Sequence, residues 1–195
     1  MHATGTLTMR LPSLPPSSLK PEQKELSEDI LNVVVPRFHG FVYQRDDGAL
    51  IGPFNAMLHF SMFGAWAWAF KALREHSELP KPVVQLVILV TGARFGARYE
   101  IYAHEIMAED AGLCAAKIAT IVAGVRPRTS AAGKLLLTTS SVEPWCDSSQ
   151  GIFKAGQDTF GDRRLAEIVF LVGCFCMVSV VLNAYDAAVP GRDDL

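Results

Sequence analysis

Cysteine is scarce in this chain. Four are present, Cys114, Cys146, Cys174 and Cys176, and no two of them form a C-x-x-C pair. The spacing argues against a disulfide framework and against a cysteine zinc site, and makes a reducing, cytoplasmic setting the expectation. Charge is scarce as well. Charged residues make up 19% of the sequence, the formal net charge is −2 and the isoelectric point is near 6.2. Such a chain lacks the basic excess that attracts nucleic acid or an anionic membrane surface, so neither is expected as a partner. The opening MHATGTLTMRLPSLPPSSLKP has no continuous apolar stretch of the kind a secretory signal requires. No segment alternates strictly between apolar and polar residues around hairpin turns, so strands are not expected and the reading is all-α.

What the chain does have is apolar residues, half of its 195. That is enough for one sizeable core, placed here in a single helical domain over 21–190 behind an extended Pro/Ser-rich arm over 1–20. Pro21 suits the first position of a helix running through KPEQKELSEDILNVVV, and VPRFHGFVYQRDDGALIGP is punctuated as a loop. An aromatic-rich helical stretch from Pro53 to Ser77, broken near Ser61, comes next, then a helix that contains Val83–Val90. ARYEIYAHEIMAEDAGL stops at Gly112 and CAAKIATIVAG at Gly124. SAAGKLLLTT and SSQGIFKAGQDTF read as helices around a loop, and a last helix runs from Arg163 to Ala188. Its run IVFLVGCFCMVSVVLNAY has the length and hydropathy of a short membrane span. Gly173, Ser179 and Asn183 interrupt it, Glu167 and Asp186 bound it, and no aromatic or basic belt flanks both ends. A buried helix of an oligomeric protein is the expectation, without a membrane partner.

Within FGARYEIYAHE, Glu100 stands four residues before His104, which places both on one helix face. On spacing alone the pair is more often a solvated surface feature than a site. A neighbouring carboxylate raises a histidine pKa and burial lowers it, so the two together can bring the imidazole near neutrality for proton transfer. A metal site is disfavoured: two ligands do not make one, and His39, His59 and His76 repeat no ligand spacing.

GPFNAMLH, the VVQLVILV helix, G-x-x-Y-E-x-x-x-H followed by A-x-x-A-G-L, and FGDRRLAEIVFLVG…VVLNA occur in that order. Together they make residues 20 to 188 resemble the carboxymuconolactone decarboxylase family, within the AhpD-like superfamily. The resemblance implies a bundle of about six to eight helices, assembled as a trimer or hexamer, with sites in apolar clefts near subunit contacts. In the redox branch the motif is C-x-x-C-x-x-x-H. Here Ala97 and Glu100 stand at the cysteine positions, so thiol peroxidase activity is not expected. Cys174 and Cys176 are assigned to core packing.

The decarboxylase branch has Glu and His at the positions of Glu100 and His104. The resemblance therefore implies a cofactor-free lyase: a carboxylated lactone loses CO₂ into a conjugated enolate, which is reprotonated. His104 is the expected proton donor, with Glu100 orienting it and setting its tautomer. Relatives carry a carboxylate where this chain has Gln85, which hydrogen-bonds but cannot relay a proton. Arg94 is a candidate for holding a substrate carboxylate, or else for a salt bridge to the C-terminal helix or another subunit. His59 could line the pocket, or be satisfied by backbone at its helix end. Tyr99, Trp68 and Phe54 are candidates for pocket walls and equally for core. The same acid/base pair also suits an isomerase, dehydratase or cyclase acting on a larger aromatic or polyketide-like compound. A catalytically silent oligomeric binding protein is the other reading. No cofactor and no metal are expected; the partner is a small molecule.

Overall fold

The computed structural model describes residues 10–34, 40–61, 73, 75–125 and 149–191. Among them the regular structure is helical. α1 is Pro21–Val34, α2 Pro53–His59, α3 Lys81–Phe95, α4 Arg98–Asp110, α5 Ala115–Val122 and α6 Ser149–Ala184, with one 3₁₀ turn at Pro16–Ser18. A single isolated bridge, Gln44 to Leu50, closes a turn in the loop before α2.

The local chemistry explains the boundaries. α1 starts at Pro21, whose missing N–H costs nothing there, and the Gln23 side chain accepts from the Lys20 N–H at 2.9 Å, a reach-back that satisfies an orphan donor. α3 ends at Gly96 in the left-handed region, and two residues later α4 begins, so the two helices form a tight hairpin. α6 breaks at Gly161 (φ 75°, ψ 166°), a conformation open essentially to glycine alone. Its last turn falls at Ala184 rather than at Ala188. Asp186 adopts φ 50° and the Ala187 N–H returns to the Leu182 carbonyl at 3.0 Å, a Schellman-type closure. The Asn183 amide bonds the Phe95 carbonyl at 2.7 Å and ties that end to the α3–α4 hairpin.

α3 is the centre of the bundle. Every residue from Gln85 to Gly92 is buried, so this helix is apolar all round and packs against α6, α4 and α5. Leu86 to Val90 meet Ile168, Leu171, Phe175, Val178 and Leu182 of α6 in the main core. A smaller cluster of Leu19, Ile30, Leu50, Met57 and Leu58 fastens the arm and α1 onto α2. α6 is long and apolar enough to cross a membrane by length and composition, with 39% of its most apolar window buried inside the chain. The face away from the core keeps Val169, Phe170, Met177 and Val180 exposed, Phe170 at 69%. The expected SAAGKLLLTT helix and Trp68 lie outside the described residues.

Candidate functional site

Four buried polar side chains, Gln85, Glu100, His104 and Ser179, lie where α3, α4 and α6 pack. The α3–α4 hairpin sets Gln85 against His104 and Gly92 against Glu100. The His104 Nδ1 lies 2.8 Å from Gln85 Oε1. With that oxygen as acceptor, Nδ1 carries the hydrogen and Nε2 keeps the free lone pair. Glu100 looks the other way, and Ser179 of α6 donates to its Oε2 at 3.0 Å. Glu100 Oε1 has no hydrogen-bond partner. A Cβ at position 92 would stand 3.1 Å from that oxygen, so Gly92 leaves it room. The Phe175 ring meets the His104 ring edge-on, centroids 5.3 Å apart.

The environment sets the protonation states. Glu100 is 2% exposed and His104 8% exposed. Burial pushes the Glu100 carboxyl up to about 8, and the Ser179 hydrogen bond opposes this only in part. Burial pushes the His104 imidazole down to about 3. At neutral pH the carboxyl therefore holds its proton and the imidazole is uncharged. This corrects the sequence-based picture twice. Glu100 does not orient His104, because the two share no hydrogen bond; Gln85 does. The group balanced near neutrality is the carboxyl, because desolvation outweighs any help a carboxylate gives the imidazole.

The other expected residues lie elsewhere. Arg94 is exposed on the last turn of α3, and Arg98 pairs with Asp186 at 3.3 Å on the surface. Tyr99 is buried; its hydroxyl donates to the Val42 carbonyl at 2.7 Å and its phenol is raised by burial, then by Tyr102. Its ring lies over Gly52, where a Cβ would come within 2.3 Å of it. Phe54 packs on the smaller cluster, and His59 Nε2 donates to the Pro12 carbonyl at 2.8 Å. Cys174 and Cys176 are half-buried on α6. Burial raises both thiols, and the charge of Glu100 adds to the rise at Cys176. Among the described residues no group of three or more His, Cys, Asp and Glu side chains is placed to hold a metal ion.

Ser179, Gly92 and Phe175 escaped the sequence reading. Ser179 left a trace as a lone hydroxyl in an apolar run, and it is fully buried. A buried hydroxyl must find a partner, and that requirement is the signal that points to Glu100.

A crystal structure described as an alkylhydroperoxidase AhpD core, an uncharacterized peroxidase-related protein from Ralstonia eutropha JMP134, superposes with a TM-score of 0.69. The match covers 95% of this chain and 94% of that one at 14% sequence identity. The fold is AhpD-like. No protein-family model matches the chain, and no curated protein matches it in sequence. In the AhpD-like fold of this chain, the residues that face each other across the α3–α4 hairpin are Gln85 and His104, with Glu100 one turn before the histidine.

Proposed function

We propose that this chain is a cofactor-free acid/base enzyme of the carboxymuconolactone decarboxylase type, acting on a small carboxylated lactone or a related carbonyl compound. The observation that carries the reading is the protonated, buried Glu100 with an unpartnered oxygen, one turn from a buried neutral His104 held by Gln85. Such a pair offers one proton to give and one lone pair to receive without a net charge in the core. In decarboxylation, the bond from the ring carbon to the carboxylate breaks and its electron pair enters the conjugated enolate. Glu100 delivers the proton to carbon as CO₂ leaves, and regains one from water. The apolar surroundings favour a step in which a localised carboxylate charge disperses. His104, through Nε2, is the acceptor when the reaction also removes a proton. This reverses the roles expected from the sequence, since the carboxyl is the donor.

Thiol peroxidase chemistry does not suit these residues. The motif positions hold Ala97 and Glu100, and both α6 thiols are raised, away from the thiolate form that attack requires. We also propose that the chain works as a homo-oligomer joined through the apolar stripe of α6, since Val169, Phe170, Met177 and Val180 expose a continuous greasy face.

The test compares wild type, Glu100→Gln and His104→Asn on a panel of carboxylated lactones and keto-acids, following CO₂ release and substrate loss separately. CO₂ release that falls at least about a hundredfold in Glu100→Gln supports the lyase with Glu100 as donor. Substrate loss without CO₂ but dependent on both residues assigns an isomerase, dehydratase or cyclase. Turnover that ignores both substitutions defeats the reading, and an absence of turnover in wild type favours a silent binding role.

A further inference from the structure

A second place in the molecule leaves buried polar atoms without partners. Besides Glu100 Oε1, the side-chain atoms in that state among the described residues are Ser13 Oγ and Asn55 Oδ1. Ser13 belongs to the N-terminal arm, and Asn55 to α2 beneath it. Over α2 the arm packs Leu14 on the smaller core cluster, and one of its carbonyls is hydrogen-bonded to α2. Pro12 O accepts from His59 Nε2 at 2.8 Å and from Asn55 Nδ2 at 3.3 Å, two donors one helical turn apart. A carbonyl only accepts, so His59 carries its hydrogen on Nε2, and Asn55 must present its NH₂ group. That choice turns Oδ1 away from Pro12, on a side chain that is 5% exposed and lines a small cavity. The cavity measures about 10 Å³, room for one water at most, and its other walls include Leu11, Ala56, Val181, Leu182 and Tyr185. Leu11, itself only half-buried, is the arm's contribution to those walls.

We propose that residues 10–14 form a displaceable strap over a binding site for a small apolar carboxylate. In the closed form the Pro12 carbonyl occupies the place of the ligand's carboxylate, and Leu11 the place of its apolar body. Two converging N–H donors beside apolar walls are what such a molecule needs: hydrogen bonds for one oxygen, and cover for a hydrocarbon chain. The strap is a poor permanent occupant. It contains no regular structure before Pro16, and closing it buries two polar atoms without partners, which favours opening. Arg10 holds its outer end by donating to the Ala184 carbonyl at 2.7 Å, an exposed contact that must break when the strap lifts. The site uses α2 and the end of α6, so it stands or falls apart from the chemistry proposed for Glu100 and His104.

The experiment titrates octanoate into the full chain by calorimetry, with hydrogen exchange read at the Leu11, Ser13 and Leu14 amides. Leu11→Ser removes the plug and keeps the donors; His59→Phe keeps a ring and removes one donor. The expected result is one-to-one binding that speeds exchange of the strap amides in wild type, is about tenfold tighter in Leu11→Ser as the open fraction rises, and is at least tenfold weaker in His59→Phe. Equal affinity in wild type and Leu11→Ser, binding that leaves strap exchange unchanged, or no saturable binding by Leu11→Ser would overturn the proposal. Undiminished binding by His59→Phe would overturn it as well.

Discussion

Glu100 and His104 are shifted in opposite directions by the same cause, and the pH dependence of folding follows. The carboxyl rises from an ordinary value of 4.5 to about 8, so between those values the folded state binds more protons and loses stability as pH increases. The imidazole falls from 6.5 to about 3, so across that range the unfolded state binds more protons and stability is lost as pH decreases. From about pH 4.5 to 6.5 the two slopes cancel. Stability set by these groups should therefore form a plateau there and fall on either side, by about 1.4 kcal/mol per pH unit at most. Denaturant melts across pH check this, and Glu100→Gln should remove the decline between about 6.5 and 8. Ser179 donates to the ionised carboxyl more strongly than to the neutral one, so Ser179→Ala should raise the Glu100 titration above about 8. Carboxyl infrared or NMR titration reads this directly; an unmoved midpoint would discount the hydrogen bond. That Glu100 and His104 lie one turn apart on a helix was legible in the sequence; that both are buried was not, since spacing alone favours a solvated pair. Their protonation states were not, because those depend on α6 and on Gln85, which spacing cannot locate.

At the scale of elements, the hairpin and the kinked α6 do most to place the site. Glycine stops marked the ends of α4 and α5 within two residues, whereas the apolar run Val83–Val90 marked only the middle of α3. The end of α6 was placed four residues late, since a left-handed Asp186 is not an obvious stop in sequence. Gly161 sits at φ 75° and ψ 166° with nothing within 4 Å of a built Cβ, so the backbone rather than crowding forbids a side chain there. Gly161→Ala should cost about 1–3 kcal/mol in chemical denaturation. Gly52→Ala should do more than strain the backbone. Its Cβ would strike the Tyr99 ring, and Tyr99 begins the turn that carries Glu100. Loss of the proposed activity with the protein still folded is the expected outcome, read as a fall in kcat.

The whole molecule leaves its longest helix half-dressed. If the α6 stripe is a subunit contact as proposed, Phe170→Glu should shift an oligomer to smaller species in light scattering at micromolar concentration, and unchanged mass would remove α6 from the interface. The stripe was legible as surplus hydrophobicity, but its face was not, since the core took Ile168, Leu171 and Phe175 from the same run. The same packing has a consequence for how the proposed chemistry can diversify. Both reactive groups ride on α4, yet one is fastened to α3 through Gln85 and the other to α6 through Ser179. Replacing Ser179 retunes the acid and spares the base; replacing Gln85 does the reverse. Two independent adjustments on a shared axle let such a bundle drift from delivering protons towards removing them, with the pair itself unchanged.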